Sequence, residues 1–190
     1  MRIVGGKWKR TRLENLSNLD RNSLIRPTSD RVKENIFNIL ENFKRGNPLL
    51  GARVLDLYCG TGAMGLEALS RGSCFCHFID NSLDSKRITQ NNISKFDAEN
   101  YSKFTLANIL DLKYNKDLRS DIVFLDPPYG KNFFKKTISD LLKNNWVNEN
   151  AIFVLEKESK INLSCDLDII DQRKYGKTEI NILTKLSFNN

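Results

Sequence analysis

The feature of the sequence that most constrains the fold is an apolar strand pattern that runs directly into a glycine-rich turn. Residues 54–65 read VLDLYCGTGAMG, which places glycines at positions 60, 62 and 65 in the spacing G-x-G-x-x-G. At the carboxyl end of a strand, such a turn lets the backbone approach a nucleotide-like ligand closely, because no Cβ atom blocks the way. The pattern therefore predicts a strand, a turn and a helix within an α/β domain.

Strand and helix patterns alternate along the chain after this turn. Besides 53–57, the predicted strands cover residues 74–79, 104–107, 121–125 and 151–155, and the predicted helices cover residues 62–71, 83–96 and 131–143. Alternating elements with short connections predict a doubly wound, mostly parallel α/β sheet. The segments 168–173 and 178–184, joined through Tyr175-Gly176-Lys177, predict a C-terminal hairpin that brings at least one antiparallel strand into the sheet.

The first 46 residues are interpreted as a small N-terminal extension of the domain formed by residues 47–190. Residues 1–13 alternate around Trp8 and predict a short hairpin or an extended arm rather than a helix. Residues 28–43 predict an amphipathic helix, with Thr28 or Ser29 as its N-cap. Its expected apolar face consists of Val32, Ile36, Ile39, Leu40 and Phe43.

The positive charge of the chain is concentrated at its N-terminus. The formal net charge is +7, and residues 1–50 hold 11 Lys and Arg against 5 Asp and Glu, whereas residues 51–190 hold 19 against 18. A localised basic patch is the electrostatic feature expected of a protein that docks onto a phosphate backbone. A basic surface kept for solubility would have the same composition, so charge alone leaves both interpretations open.

The motif most informative about chemistry is Asp126-Pro127-Pro128-Tyr129, which follows the apolar strand Ile122-Val123-Phe124-Leu125. A doubly wound sheet opens its ligand crevice at this point. Two prolines stiffen the turn, so the Asp126 carboxylate and the Pro127 carbonyl can both accept hydrogen bonds from one exocyclic amine, while Tyr129 stacks on the base. Such alignment would orient a poorly nucleophilic nitrogen toward a methyl donor and stabilise the positive charge that develops on it.

Two acidic positions favour S-adenosylmethionine over NAD as the ligand of the glycine turn. Asp56 lies four residues before Gly60, where its carboxylate could face the ammonium group of the methionine moiety. Asp80 follows the second strand, where it could accept hydrogen bonds from both ribose hydroxyls, a feature shared with NAD enzymes. The alternative interpretations are a helix N-cap for Asp56 and an ordinary loop carboxylate for Asp80.

Together these segments resemble the bacterial small-subunit ribosomal RNA guanine-N2 methyltransferases of the RsmD type. The resemblance covers RIVGGKWKR at residues 2–10, RPTSDRVKE at 26–34, the turn at 56–65 with its helix to 72, the motif at 126–129, and YGKT at 175–178. The two N-terminal segments carry the RNA assignment. The glycine turn is common to the wider methyltransferase superfamily, and Asp-Pro-Pro-Tyr also occurs in DNA amino-methyltransferases.

The resemblance implies a class I, Rossmann-like methyltransferase fold, S-adenosyl-L-methionine as donor with S-adenosyl-L-homocysteine as product, and a guanine of 16S rRNA within the small subunit or its assembly intermediate as acceptor. The donor-binding residues that it implies are Asp56, Tyr58, Gly60, Thr61, Gly62, Asp80, Asn81, Asn108, Ile109 and Asp126. The implied RNA contacts are Arg2, Lys7, Trp8, Lys9, Arg10, Arg12, Arg26 and Arg31. Asn108 departs from the Asp that many methyltransferases carry after the third strand, although its amide oxygen can still accept a hydrogen bond.

Two other functions are compatible with parts of this pattern. A DNA amino-methyltransferase, acting on adenine N6 or cytosine N4, shares the chemistry motif but normally needs a target-recognition region for which 190 residues leave little room. A non-catalytic ribosome assembly factor would keep the fold without turnover. An NAD dehydrogenase is disfavoured, because nothing in the sequence resembles a second, substrate-binding domain.

The remaining expectations concern partners and location. Cys74-x-Cys76-His77 lacks a fourth ligand, so we expect no metal site. No apolar stretch approaches the roughly 20 residues of a membrane helix, and four unevenly spaced cysteines predict reduced thiols. We therefore expect a cytoplasmic monomer without a membrane segment. The sequence does not identify the target guanine, nor does it distinguish naked RNA from a protein-bound particle.

Overall fold

The structure is a computed structural model, and it describes residues 1–15, 29–44, 46–127, 133–161, 163 and 166–185. Within these residues the helices are α1 (Asp30–Glu41), α2 (Ala63–Ser70), α3 (Leu83–Lys95) and α4 (Phe134–Lys143). The strands are β1 (Arg53–Leu57), β2 (Phe75–Asp80), β3 (Ser102–Leu106), β4 (Ser120–Leu125), β5 (Val147–Glu158), β6 (Asp168–Tyr175) and β7 (Thr178–Thr184). Short 3-10 helices cover Gly6–Trp8, Glu99–Tyr101 and Ile109–Asp111.

The strands form one seven-stranded sheet in the order β3-β2-β1-β4-β5-β7-β6. The pairs from β3 to β5 are parallel, whereas β7 runs antiparallel to both β5 and β6. The predicted fold class and the C-terminal hairpin are thus confirmed. Because the chain places β2 and β3 on one side of β1 and β4 on the other, the topology reverses between β1 and β4, where doubly wound sheets bind their ligands.

Both faces of the sheet are covered by apolar side chains. On one face, Val54 of β1 belongs to a core with side chains of α1 and α2, among them Leu40 and Leu66. On the other face, Leu55 belongs to a second core that contains Phe134 and other side chains of α4. Burial on both faces explains why the central strands read as continuous apolar runs rather than as an alternating pattern.

Helix α1 forms where the sequence predicts it, but its buried face is wider than predicted. The Ser29 hydroxyl caps the helix by accepting a hydrogen bond from the Val32 N–H at 3.3 Å, which confirms one of the two proposed N-caps. Thr28, the other, lies outside the described residues. Lys33 and Phe37, which were not assigned to the apolar face, are fully buried.

Strand β5 begins four residues before its predicted start. The earlier start was not predicted because the polar sequence Asn148-Glu149-Asn150 lacks the apolar pattern of a buried strand. Pairing with β4 nevertheless extends to Ser120 opposite Val147, with a register shift between Ser120 and Ile122 that accommodates the polar segment. Tertiary pairing, rather than local preference, sets this end of the strand.

The N-terminal arm is a hairpin-like loop that packs on the domain. Arg2 and Arg12 form an antiparallel bridge, as the prediction of a hairpin requires. The prediction that the arm contains no helix is wrong at its tip, where Gly6–Trp8 form one 3-10 turn. This turn lets the Trp8 ring stack on Phe96 at a centroid separation of 4.6 Å.

A buried carboxylate fixes the arm to the domain. Glu67 of α2 is completely buried and accepts hydrogen bonds from the backbone N–H groups of Val4 and Gly5, both at 2.7 Å. It also accepts one from Arg71 Nε at 2.8 Å and lies 3.7 Å from the buried ammonium of Lys33. Burial lowers the pKa of Lys33, and the neighbouring Glu67 carboxylate opposes that shift.

Replacing Glu67 with alanine is expected to lower the free energy of unfolding by about 3–5 kcal/mol, because it removes the carboxylate that pairs with the buried Lys33 ammonium and leaves two N–H groups of the arm without their acceptor. Urea denaturation monitored by circular dichroism measures the loss. Alanine at Glu34, an exposed position of α1, serves as the matched control and should change stability by less than about 0.5 kcal/mol. Similar losses in both variants would contradict the role given to Glu67.

Candidate active site

Polar side chains gather at the carboxyl ends of four neighbouring strands. Asp56 lies near the end of β1, Asp80 ends β2, Asn108 follows β3, and Asp126 follows β4. The sheet order places these strand ends next to one another, with the reversal point between Asp56 and Asp126. These four candidate residues therefore share one edge of the sheet, as the sequence predicts for a doubly wound fold.

The glycine turn between β1 and α2 has an unusual backbone. Tyr58, Gly60 and Gly62 all adopt positive φ angles, of 56°, 54° and 74°. Such a conformation costs a non-glycine residue about 1–2 kcal/mol, so Tyr58 is strained. Contacts from other elements hold the turn: the Gly60 N–H donates to Asp80 Oδ2 at 3.0 Å, and the Thr89 hydroxyl donates to the Gly60 carbonyl at 2.9 Å.

Gly60 and Gly65 serve different purposes in this turn. A Cβ atom on Gly65 would lie 2.4 Å from both Cys76 Sγ and Phe78 Cε1, so this glycine is required for α2 to pack on β2. At Gly60 the nearest atom to such a Cβ would be the Tyr58 carbonyl oxygen, 4.0 Å away. The protein therefore leaves space above Gly60, as a ligand lying close to the backbone requires.

Asp56 is buried and contacts the first turn of α2. Its Oδ2 atom accepts a hydrogen bond from the Gly65 N–H at 2.8 Å, which is the helix-capping contact that sequence reasoning left open. Burial raises the pKa of Asp56 to about 8, even though the Gly65 N–H opposes the shift, and the Asp80 carboxylate raises it further. A carboxyl group that is costly to ionise in the free protein is well suited to a cationic ligand.

Asp80 and Asn108 lie at the carboxyl ends of neighbouring strands, because β2 and β3 pair with Asp80 opposite Leu106. Asp80 Oδ1 accepts from the Ser82 N–H at 2.9 Å, and its Oδ2 accepts from Gly60. Asn108 is exposed; its side-chain oxygen accepts from the Leu110 N–H at 3.2 Å. Of the other predicted donor contacts, Asn81 is exposed, whereas Ile109 and Thr61 are buried.

Asp126 and Pro127 follow β4 directly beside the glycine turn. The Asp126 side chain is accessible to solvent but surrounded by protein on most sides, and this crowding raises its pKa well above the usual range. The carboxylates of Glu156 and Asp56 raise it further. Pro128 and Tyr129, the other predicted catalytic residues, lie outside the described residues.

Glu156 is a member of this group that the sequence motifs did not reveal. It stands on β5, directly after the apolar run Ala151–Leu155, just as Asp126 stands directly after the apolar end of β4. The sequence does carry one signal for Glu156, which is its position at the end of an apolar strand pattern. The motifs do not reveal this residue because no named motif contains it.

Four of the predicted RNA-binding residues line one groove. The groove has a volume of about 380 Å³ and lies between the arm and the start of α1. Its basic lining residues are Arg2, Lys9, Arg10 and Arg31, and its acidic ones are Asp30 and Glu34. Arg2 Nε donates to Asp30 at 2.9 Å, so one acidic residue is already paired.

Lys7, Trp8 and Arg12, which are also predicted to bind RNA, do not line this groove. The Lys7 ammonium lies 4.4 Å from the centroid of the Trp8 ring, which also stacks on Phe96. Trp8 is therefore a packing residue of the arm, and its contact with RNA stays a prediction. Arg12 is exposed, and Arg26 lies outside the described residues.

The described parts of the chain contain neither a candidate metal site nor a candidate membrane-spanning helix. No group of three or more His, Cys, Asp or Glu side chains there has a geometry that could hold a metal ion. No helix in the described ranges is both long and apolar enough to cross a membrane. Cys59, Cys74 and Cys76 are free thiols, and Cys165 lies outside the described residues.

Comparison with known proteins agrees with this geometry. The family model described as Conserved hypothetical protein 95 matches residues 1–184. Over 158 residues, covering 83% of this chain and 75% of the relative, the chain is 31% identical to ribosomal RNA small subunit methyltransferase D of Escherichia coli K12. The protein of the same name in Haemophilus influenzae is 32% identical over 161 residues, covering 83% and 79%. The chain therefore belongs to the Conserved hypothetical protein 95 family.

Membership of the family confirms the resemblance inferred from the motifs. A solved structure from Escherichia coli, the candidate methyltransferase yhhF, superposes with a TM-score of 0.80 at 26% identity and covers 97% of each chain. The class I methyltransferase fold is thus shown over 97% of the chain.

A cation that binds against Asp56 is expected to displace a proton. At pH 6.5 a group with a pKa near 8 is more than about 90% protonated, and a neighbouring positive charge lowers that pKa. Binding of S-adenosylmethionine should therefore release about one proton, and its affinity should rise as the pH increases from 6 toward 8. Titration calorimetry in buffers of different ionisation enthalpy counts the protons.

The control for this prediction is Asp56→Asn, which removes the titrating group while preserving the shape of the side chain. It should abolish the proton release and flatten the pH dependence of affinity. Binding to the unaltered protein without proton release would show that the ligand does not contact the Asp56 carboxylate.

Proposed function

We propose that this protein transfers a methyl group from S-adenosylmethionine to the exocyclic N2 of a guanine in 16S rRNA of the small ribosomal subunit. The observation that carries the proposal is the juxtaposition of an open glycine turn after β1 with Asp126 and Pro127 after β4, at the reversal point of the sheet. The family, whose relatives carry the name ribosomal RNA small subunit methyltransferase D, supports RNA as the acceptor.

The chain's own residues fit the donor. The space above Gly60 admits its close approach, and the acidic group of Asp56 suits a ligand that carries ammonium and sulfonium charges. Asp80 would accept hydrogen bonds from the ribose hydroxyls, and Asn108 from the adenine amino group. When bound, the donor supplies an electrophilic methyl group on sulfur.

The role of Asp126 and Pro127 is to position the acceptor. Their carboxylate and carbonyl oxygens would accept hydrogen bonds from the two N–H groups of the guanine amine and direct its nitrogen toward the methyl carbon. The nitrogen would then take the methyl group as the donor's C–S bond breaks, and the electron pair of that bond would stay on sulfur. The nitrogen then loses one proton to Asp126 or to solvent, and no covalent enzyme intermediate is involved.

The groove between the arm and α1 would hold the RNA backbone. Its four basic side chains outnumber its two acidic ones, and the Arg2 pair with Asp30 leaves the remaining cations for phosphates. The base would leave its stack to reach Asp126. Action on the assembling small subunit, a monomeric state, a cytoplasmic location and independence of metal belong to the same proposal.

The test of the proposal is transfer of labelled methyl from S-adenosylmethionine to small subunits that lack the modification, with naked 16S RNA and duplex DNA alongside. Nucleoside analysis should place the label in N2-methylguanine. Label in N6-methyladenine or N4-methylcytosine of DNA would favour the amino-methyltransferase alternative. Donor binding without transfer to any substrate would favour an assembly factor.

Asp126→Ala is expected to lower methyl transfer at least about 10²-fold while donor binding stays within a few-fold, because it removes an acceptor that aligns the amine. Single-turnover transfer and calorimetric donor binding measure the two effects separately. The control is Asp84→Ala, at an exposed site on α3, which should leave both quantities unchanged. Equal loss of transfer and donor binding would make Asp126 a donor-binding or structural residue instead.

Replacing Lys9 and Arg31 with glutamine is expected to weaken RNA binding and to reduce the slope of log affinity against log salt by about 1.4, since each phosphate contact contributes roughly 0.7 for single strands. Filter binding at several salt concentrations gives the slope. Replacing Lys143 and Lys174, two exposed lysines outside the groove, with glutamine tests whether the loss of any two positive charges reduces the slope. The groove is not the RNA site if both pairs change the slope equally.

A further inference from the structure

A cavity of about 480 Å³ lies at the amino ends of the central strands, outside the candidate active site. Arg53 begins β1, Phe75 begins β2, Ser120 begins β4 and Lys103 is the second residue of β3, and all four line the cavity. The glycine turn and Asp126 follow the carboxyl ends of the same strands, so the cavity lies at the opposite edge of the sheet. Its volume falls within the roughly 300–1,000 Å³ that is usual for small-molecule sites.

The cavity carries a surplus of positive charge. Its charged lining residues are Arg53, Lys103, Lys116 and Asp117, and Asp117 pairs with Lys103 at 2.6 Å. No ion pair among the described residues includes Arg53 or Lys116. His77 also lines the cavity and is neutral near pH 7, because burial and the nearby Lys103 ammonium lower its pKa to about 4. Two cations are therefore left for an anionic ligand.

Arg53 is held in place, but one of its donors lacks an acceptor. Its Cζ atom lies 4.6 Å from the centroid of the Phe75 ring, and its buried Nε atom has no hydrogen-bond partner among the described residues. The neighbouring Asp121 carboxylate is occupied, since it accepts from the Arg53 backbone N–H at 2.9 Å and from the Asn148 amide at 2.6 Å. A buried donor without an acceptor is unfavourable, and a small rotation of the Arg53 side chain toward an anion in the cavity would remove that cost.

Another part of the cavity wall is apolar. The Trp146 ring packs against His77 with centroids 5.6 Å apart, and its indole N–H donates to the Lys113 carbonyl at 2.8 Å, so this wall is fixed. Leu118 also lines the cavity, although its side chain is 69% exposed. A ligand that joins an anionic group to an apolar body matches both parts of the lining. Nucleotides have this combination, because each carries a phosphate and a base with an apolar face.

A second cavity, of about 410 Å³, adjoins the first. Both are lined by Arg53, Asp117 and Leu118, and the second adds Arg119. A phosphate bound by Arg53 would therefore have space beside it for a chain that continues toward another cation. Arg and Lys side chains that contact successive phosphates are the usual means of holding a nucleic-acid backbone.

We propose that the cavity at the amino ends of β1 to β4 binds a single nucleotide, whose phosphate accepts hydrogen bonds from Arg53 and Lys116. The nucleoside part contacts Leu118 and Trp146. The nucleotide is either free or part of an RNA strand, because both sources present the same phosphate chemistry. The inference goes beyond the proposed methyl transfer and does not rest on it, since none of these residues belongs to the candidate active site.

The test uses uridine monophosphate as the probe, added to protein that is saturated with S-adenosylhomocysteine. Saturation keeps the probe out of the donor site, and uracil has no exocyclic amine for Asp126 to hold. The chain has two tryptophans, Trp146 in the cavity and Trp8 on the arm, so their indole N–H signals in a proton–nitrogen NMR spectrum distinguish the two regions. We expect the probe to shift the Trp146 signal, with saturation below about 10 mM, and to leave the Trp8 signal unchanged. Uridine, which lacks the phosphate, should bind at least about 10-fold more weakly.

Two variants test the residues that would hold the phosphate. Arg53→Gln is expected to weaken binding of uridine monophosphate at least about 10-fold, because it removes a charged donor. Lys116→Gln alters an exposed side chain, so it should leave the melting temperature unchanged and weaken binding about 2-fold to 5-fold. It keeps the test valid if Arg53→Gln is unstable. Lys174→Gln, at an exposed position of β6 outside the cavity, is the matched control and should not change the affinity.

The dependence of RNA affinity on salt distinguishes the two sources of the nucleotide. If it is part of an RNA strand, each cavity variant reduces the slope of log affinity against log salt by up to about 0.7, the contribution of one phosphate contact on a single strand. If it is free, the slope stays that of the unaltered protein while the affinity for uridine monophosphate falls. Both results support the site.

Three results would overturn the inference. They are an unshifted Trp146 signal, equal affinity for uridine and its monophosphate, and equal affinity of Lys116→Gln and Lys174→Gln for the probe. Methyl transfer to guanine is measured separately, so its failure would refute the proposed function and leave the nucleotide site in place.

Discussion

The position of the N-terminal arm depends on one buried charge, the Glu67 carboxylate. Burying an ion is unfavourable unless hydrogen bonds and opposite charges replace its water. Here two backbone N–H groups of the arm, the Arg71 side chain and the Lys33 ammonium do so together. Because these partners come from three separate segments, the arm, α1 and α2 must be placed correctly at the same time. A basic surface held in this way loses less conformational entropy on binding RNA than a flexible tail would.

The molecule separates its charges according to the ligands that it would hold. Basic side chains of the arm and α1 surround a groove on the surface, whereas Asp56, Asp80, Asp126 and Glu156 gather at the edge of the sheet. A polyanionic RNA strand and a small donor with ammonium and sulfonium charges would therefore bind to different regions. The carboxylates at the edge disfavour one another in the free protein, and a ligand that brings positive charge or hydrogen-bond donors removes that cost.

The parts of the fold predicted from sequence are those encoded by neighbouring residues. Strand β1 and the turn after it were predicted because an apolar run, glycines and a helix pattern follow one another within 20 residues. The burial of Lys33 was not, since it depends on Glu67, which lies 34 positions away in the sequence. Glu156 was missed for the same reason: its meaning depends on the pairing of β5 with β4. Contacts between distant segments leave no periodic pattern that a single sequence can reveal.

Contacts of the glycine turn link it to the arm. The Thr61 hydroxyl contacts Met1 Sδ at 3.3 Å, and Asn92 donates to the Thr61 carbonyl at 2.9 Å. The same Asn92 side chain accepts from the Glu14 N–H at 2.7 Å, so both ends of the arm are attached to the turn. Trp8, stacked on Phe96, fixes the tip. With its two ends and its tip held, the arm presents its basic groove at a fixed distance from the strand ends. RNA bound in the groove and a methyl donor bound above Gly60 would then be positioned by one rigid framework rather than by two independent parts.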